Sequence, residues 1–321
     1  MKYFLSLVIT LFATATWAWS PPSTVKVIVG QSPGGGNEFA FRGIQTILER
    51  NASPVNFVFE HRPGMDNVIA MNHFSSQPAD GSAILVVVQA TGFVTAPVAY
   101  KSLLKTDPMN YSFVTTLARA PMAFVVRDTS EFKTVPQLFA HLKKPGAKFN
   151  IGISGGINLL AYSYLVDQLG VSQDAVQKIN FKSPTEASVA VAGGQVDMAI
   201  VPMSVSKPLI DAGKVRILAH TGSAPVPGLE SVALMRDHMP KFVLESAWSV
   251  FLPPGTPKHI TDWYVRMTLQ ALRDPAARQY YATNWATIDS ATLGPDGLAN
   301  SISALRGNWL PIAQRVLKEE K

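Results

Sequence analysis

No cysteine occurs among the 321 residues. Its absence excludes a disulfide framework, a thiol nucleophile and a cysteine-based zinc site. A domain of this size needs no disulfides, so the lack is compatible with an oxidising compartment. Charge is sparse as well: 16% of residues are charged and the formal net charge is +6. No Lys/Arg run with interleaved aromatics is present, so nucleic acid is not an expected partner. A mild positive balance suits an acidic small molecule or a generally basic surface. The histidines (His61, His73, His141, His220, His238 and His259) show neither HxxxH nor HxxEH spacing. Neither a metal site nor a cofactor is expected from them. Beyond the first twenty residues, no apolar run approaches the roughly 20 residues needed to span a bilayer.

Residues 1–20 read as a secretory signal. Met1-Lys2 supplies the positive start, Tyr3 to Phe12 is almost wholly apolar, and Ala13, Ala15, Ala18 and Ser20 are small. Cleavage after Ala18 or Ser20 fits this pattern, giving an exported and soluble mature chain. With 47% hydrophobic residues, that chain can bury a substantial core.

Apolar runs alternate with helical periodicity. Val25 to Val29 suits a buried strand, and Phe41, Ile44, Ile47 and Leu48 recur at helical spacing. Val55–Glu60 and Ala83–Val88 predict further strands around a helix over Asn67–Ser75. A second series follows. Ala123–Val126, Phe149–Ile153, Val176–Phe181, Met198–Val201 and Val215–Leu218 read as strands. Helices are predicted between them at Leu159–Leu169, Glu186–Ala192 and Leu209–Ala212, and the tail is helical over Ile260–Arg273 and Ala299–Lys318. This alternation predicts an α/β protein with βαβ units, a largely parallel sheet and two lobes joined by short crossings. Ligands bind such folds at the carboxyl ends of the strands.

Two strand-to-helix loops stand out. In Gln31-Ser32-Pro33-Gly34-Gly35-Gly36-Asn37-Glu38, the glycines allow close approach to the backbone. A helix starting at Asn37 or Glu38 would aim unpaired N–H groups and its positive dipole end at an anion. The alternative is a tight turn capped by Asn37. The counterpart in the second series is Gly152-Ile153-Ser154-Gly155-Gly156-Ile157-Asn158, where Ser154 and Asn158 add side-chain donors. That loop also matches the Gly-x-Ser-x-Gly nucleophile elbow, with Asp197 and His220 following in triad order, so a secreted serine hydrolase using Ser154 is the enzyme alternative. Asp197 in Gly193-Gly194-Gln195-Val196-Asp197 lies in a turn entering a strand, where a carboxylate more often caps the turn. Trp248, in a strand-like run, reads as core.

Taken in order, these segments resemble the periplasmic solute receptors of tripartite tricarboxylate transporters, the Bug family. The matching blocks are Pro33-Gly34-Gly35-Gly36-Asn37-Glu38, Glu60-His61-Arg62-Pro63-Gly64, Pro78-Ala79-Asp80-Gly81 and Asn150-Ile151-Gly152-Ile153-Ser154-Gly155. Phe181-Lys182-Ser183, Gly193 to Asp197, Asp211-Ala212-Gly213-Lys214-Val215-Arg216 and Pro253-Pro254-Gly255-Thr256-Pro257 complete them. The resemblance implies a two-lobed periplasmic-binding-protein fold (Venus flytrap, type II) with the ligand cleft between lobes. Lobe 1 is expected at 23–118 plus 226–321 and lobe 2 at 119–225. It implies no catalysis, a periplasmic location, and a monomer that binds a small mono- or dicarboxylate for membrane permease subunits or a sensor protein. Besides Gln31, Ser32 and Gly34 to Glu38 in the first loop, it places Gln89, Thr91, Ser154, Gly155, Gly156, Asn158, Ser183 and Thr185 at the cleft.

This chain departs from the family pattern in places. Gly30-Gln31-Ser32 replaces Pro-Phe-Pro, which predicts a polar pocket wall and a ligand with extra hydroxyl or carbonyl groups. Asn37-Glu38 stands for Thr-Asp, and Phe181-Lys182-Ser183 for Tyr-Lys-Gly. Met65-Asp66-Asn67-Val68 replaces Ala-Gly-Gly-Asn, and Asp66 would disfavour an anion if it faced the cleft.

Overall fold

The computed structural model describes residues 19–172 and 174–317. The signal-peptide expectation, apart from Trp19 and Ser20, and the C-terminal Lys318–Lys321 lie outside the described residues. The chain opens with β1 (Thr24–Val29), α1 (Gly36–Asn51), β2 (Asn56–His61), α2 (Val68–Ser75) and β3 (Ala83–Val88). A π-helical turn (Thr91–Thr95) runs into the short α3 (Ala96–Ala99), and β4 spans Ser112–Arg127. Next come α4 (Val135–Leu142), β5 (Phe149–Ile153), α5 (Gly156–Leu169), β6 (Val176–Asn180), α6 (Pro184–Ala192), β7 (Met198–Pro202), α7 (Met203–Asp211), β8 (Val215–His220) and β9 (Ala233–Leu234). The chain ends with β10 (Glu245–Leu252), α8 (Lys258–Arg273), α9 (Pro275–Thr283) and α10 (Gly294–Val316).

Local chemistry accounts for most of these elements. β3 is apolar and buried at every position, as a strand covered on both faces must be. In α1, Phe41, Ile44, Ile47 and Leu48 form the buried stripe while Arg42 and Arg50 face out. Helix α4 starts on a capping box: Thr134 Oγ1 accepts from the Gln137 N–H, and Gln137 Oε1 accepts from the Thr134 N–H.

The strands form one sheet in the order β2-β1-β3-β10-β4-β7-β5-β6, with β8 on β4 and β9 on β8. β1 pairs in parallel with β2 and β3, and β5 with β6 and β7. The middle differs from the expected parallel sheet. β10 runs antiparallel to both β3 and β4, and β4 antiparallel to β7 and β8. Up to Pro121 strand β4 pairs with β10; from Met122 to Arg127 it pairs with β7 and β8. It therefore passes unbroken from the first half of the molecule to the second. Local periodicity detected only its buried end at Ala123–Val126, because crossing strands follow no βαβ rule.

After β8 the chain forms one more short strand before it returns to the first half. β9 pairs with β8 at Ala219↔Ala233 and His220↔Leu234, so residues up to Leu234 stay with the second half. Thr221 ties the two crossings together, donating from Oγ1 to the Leu244 carbonyl and accepting the Met122 N–H at 3.0 Å. α10 spans the halves. Leu298 and Ile302 sit in the first-half core, whereas the Trp309 ring lies 5.3 Å from Tyr164 and Arg315 pairs with Asp167 at 3.0 Å.

Helix α1 packs on α9 through Gly43. A Cβ there would lie 2.6 Å from Tyr281 Cζ and 2.8 Å from Tyr280 Cδ1. The tyrosines hold this approach by donating to the Ala40 and Phe39 carbonyls at 2.6 and 3.1 Å. Burial pushes the Tyr280 phenol up to about 12, so it remains a donor at neutral pH. Alanine is the better helix former by about 1 kcal/mol. Gly43→Ala is nevertheless expected to destabilise by about 1–3 kcal/mol through overpacking, checked as a lowered urea midpoint. A gain in stability would show that the contact yields.

Candidate ligand-binding cleft

The carboxyl ends of the parallel strands in both halves point toward one another, so the helices that follow begin at a shared cleft. Thr185, in the first turn of α6, donates from Oγ1 to the Gly34 carbonyl of the first half at 2.7 Å. Ile157 N–H, in the first turn of α5, donates to Thr91 Oγ1 at 3.1 Å. Gly156 lies against the same threonine, since a Cβ would sit 2.3 Å from Thr91 Oγ1. α1 also approaches α7 across the gap. The N-termini of α1, α5, α6 and α7 thus converge, each contributing partial positive charge.

The first loop is more self-sufficient than its glycines suggest. Gly34, at φ +77°, donates its N–H to Glu38 Oε2 at 2.8 Å. Glu38 is buried and its carboxylate is also engaged by Arg42, with Nε at 2.6 Å, and by His61, with Nε2 at 3.4 Å. The Asn37 N–H goes to Gln31 Oε1 at 3.0 Å, and the Gly35 N–H to the Ser32 carbonyl at 3.1 Å. Gln31 Oε1 therefore caps α1, its side chain being long enough to fold back onto the helix start. Asn37 is inside the helix, not its cap; it donates from Nδ2 to Asn67 Oδ1 at 3.0 Å.

Other expected site residues divide in the same way. Ser183 is the N-cap of α6, accepting the Glu186 N–H at 3.2 Å. Asn158 ties α5 to β7 by donating to the Ile200 carbonyl at 2.6 Å. Gln89 is buried among the crossing strands: Nε2 donates to Thr116 and Ser249 at 2.9 and 3.0 Å, and Oε1 accepts from Ser301. Its side chain is engaged by β4, β10 and α10. Thr91, Ser154, Gly155, Gly156 and Thr185 lie where the two halves meet.

A smaller set of polar atoms has no protein partner. Ser154 Oγ, Ser204 Oγ, Trp248 Nε1 and Asn37 Oδ1 are buried without a hydrogen bond. Leaving such groups unpaired costs about 1–3 kcal/mol each, so their collection at helix N-termini calls for an external partner. Trp248 is fully buried opposite Val88, at the carboxyl end of β3, and its indole nitrogen lies 3.2 Å from where a Gly36 Cβ would be. The sequence reading placed Trp248 in the core and did not select Ser204. The signal for Ser204 was its place just past β7, a third strand-to-helix joint like the two glycine-rich ones. Beside Ser154 opens a cavity of about 440 Å³, also lined by Gly155, Asp66, Tyr100, Lys178 and Lys182.

The hydrolase constellation is not assembled. Asp197 Oδ2 accepts the Asn150 N–H at 2.8 Å, at the opposite end of β5 from Ser154. His220 Nδ1 accepts the Gly222 N–H at 3.1 Å, which leaves the proton on Nε2. Burial pushes the imidazole pKa down, so it stays neutral, and Nε2 has no partner. Among the described residues, no group of three or more His, Asp or Glu is arranged to hold a metal.

Residues 41–289 match the sequence profile of the tripartite tricarboxylate transporter family receptor, and the chain belongs to that family. Its fold is the two-lobed periplasmic-binding-protein fold. The periplasmic binding protein BugD superimposes with a TM-score of 0.84 at 23% identity, over 92% of this chain and 99% of that one. MatC of Rhodopseudomonas palustris, with bound malate, gives 0.83 at 21% identity over 90% and 98% of the two chains. Another R. palustris protein, with adipate, gives 0.84 at 22% identity over 92% and 98%. No helix among the described residues is long and apolar enough to cross a membrane.

The two kinds of cleft serine should separate on mutation. Ser154→Ala and Ser204→Ala remove unsatisfied hydroxyls, so the protein without added solute should keep or gain stability, by up to about 1 kcal/mol. Ser183→Ala removes a cap and should cost about 1 kcal/mol. Urea unfolding of the three variants checks the ordering; a large loss for Ser154→Ala would place that hydroxyl in the fold's own bonding.

Proposed function

We propose that this protein is an extracytoplasmic receptor that binds a small carboxylate-bearing organic acid in the cleft for delivery to a membrane transporter. One observation carries the reading: the buried, unpartnered Ser154 and Ser204 hydroxyls and Trp248 indole N–H stand where four helix N-termini meet. Neutral donors of this kind, backed by helix dipoles, suit a carboxylate. Among the described residues no lysine or arginine is buried, so the charge of the acid would be met by dipoles and hydrogen bonds. The malate and adipate held by two structural relatives support the same ligand class.

In this reading lobe 1 comprises residues 23–118 with the chain after the return crossing, and lobe 2 begins at 119 and extends through Leu234. Gly36 and Trp248 on lobe 1 and Ser154 and Ser204 on lobe 2 touch the acid together only when the lobes meet. Those contacts unique to the closed form supply the free energy of closure, and β4 with the segment after Leu234 provides the hinge. Export by the 1–20 leader would place the receptor in the periplasm as a monomer. Permease subunits or a sensor protein would then read its closed form.

Thermal-shift and calorimetric screening of organic acids is expected to find binding with quenched or shifted Trp248 fluorescence. Ser154→Ala and Ser204→Ala should each weaken it by about 10–100-fold, since a hydrogen bond to a charged group contributes about 1.5–3 kcal/mol. Failure of every carboxylate, with binding of a cation or a neutral sugar, would overturn the proposal.

A further inference from the structure

Among the described residues, the buried polar atoms at the cleft without a protein partner are not alike. The Ser154 and Ser204 hydroxyls can donate or accept, and the Trp248 indole N–H only donates. Asn37 Oδ1 is an amide carbonyl oxygen, and it only accepts. Asn37 is 1% exposed and lies at the second position of the 16-residue α1. Its backbone N–H is already engaged by Gln31 Oε1 at 3.0 Å.

The amide is held in one orientation. Its Nδ2 donates to Asn67 Oδ1 at 3.0 Å. That oxygen lies 2.2 Å from where a Gly30 Cβ would be, against the hydrogen that glycine carries there. A carbonyl oxygen suits a Cα–H contact, whereas an amide NH2 turned onto it does not. Asn67 is therefore fixed with its oxygen toward Asn37, and Asn37 with its own oxygen turned away from Asn67. Asn67 and Gly30 line the same cavity as Ser154, which puts this pair beside the ligand space.

An acid in the cleft meets two different demands at the start of α1. At Gly36, Trp248 Nε1 is 3.2 Å from where a Cβ would be. The indole N–H and the helix dipole suit a carboxylate there. One residue on, Asn37 Oδ1 needs a donor. A carboxylate or a ligand carbonyl only accepts, so either would leave that oxygen buried and unpaired, at a cost to binding. A hydroxyl satisfies it. An ammonium would donate too, but the positive end of α1 opposes a cation. The neighbouring Glu38 carboxylate is engaged by Arg42, His61 and the Gly34 N–H.

We infer that Asn37 is a specificity-determining residue that selects a 2-hydroxy acid. The carboxylate sits at Gly36 and Trp248, and the hydroxyl donates to Asn37 Oδ1. Consecutive helical residues rise by about 1.5 Å, so the two groups belong on adjacent carbons. The inference rests on the receptor reading above and narrows its ligand class. It also separates a hydroxyl from a carbonyl substituent, which the composition of the loop leaves open.

The test is calorimetry at neutral pH with two matched sets of acids. One is 2-hydroxybutanoate, 2-oxobutanoate, 2-aminobutanoate and butanoate; the other is 2-hydroxyglutarate, 2-oxoglutarate, glutamate and glutarate. In the set of better-fitting length, the wild type should bind the hydroxy acid about 10-fold or more tighter than the other three. Asn37→Thr and Asn37→Ala should each remove most of the hydroxy-over-oxo preference. The threonine hydroxyl can turn to donate to an oxo group, and a water admitted beside alanine can do the same. Wild-type binding of the oxo, amino or unsubstituted acid as tightly as the hydroxy acid would overturn the role of Asn37 and leave the receptor reading standing. So would an unchanged ratio in both variants, with urea unfolding showing them folded. Absence of binding by all eight acids, together with failure of the wider acid screen, would instead strike the receptor reading itself.

Discussion

Strand β4, Ser112–Arg127, is hydrogen-bonded in both halves of the molecule, and the rest of the architecture depends on it. A strand passing unbroken through the junction ties the two halves into one hydrogen-bonded sheet. Thr221 and the return segment after Leu234 make a second crossing beside it. Because both halves present their carboxyl strand ends to the junction, helix N-termini gather there without any charged side chain being required.

That gathering explains why a buried polar cleft can be tolerated. A buried charge must be paired or neutralised, and the one buried acid among the described residues, Glu38, is shared among Arg42, His61 and the Gly34 N–H. The buried polar atoms without a partner at the cleft are neutral: two serine hydroxyls, an indole N–H and an asparagine carbonyl. Neutral groups cost less to leave unpaired than ions. The family to which the chain belongs, and the carboxylates held by its structural relatives, agree with such a site.

The sequence and the structure part company at identifiable residues. The βαβ alternation was legible because each strand and its helix are neighbours in the chain, as at β3, whose Ala83–Val88 bounds match the expected strand. The pairing of β10 with the first part of β4 was not legible, since these partners lie more than 100 residues apart in sequence. Residues chosen for the cleft on chemistry alone divided according to what stood within reach. Gln31, Glu38, Ser183 and Asn158 found backbone or side-chain partners inside their own half. Ser154 did not. Trp248 is core, as expected, but an apolar ring in a strand gives no hint that its N–H lacks a partner.

By itself the sequence determined the fold class, the two glycine-rich strand-to-helix loops and the family, because these depend on periodicity, on backbone freedom and on ordered local motifs. Only the tertiary structure decided which polar atoms remain unsatisfied and which carboxylate faces which helix. Asp66 shows why. Its contact with Gly155 joins residues from opposite halves and depends on a left-handed backbone at 65–67 that neither composition nor spacing announces. Satisfaction of a hydrogen bond is a property of the neighbourhood, and that neighbourhood exists only once the strands have crossed.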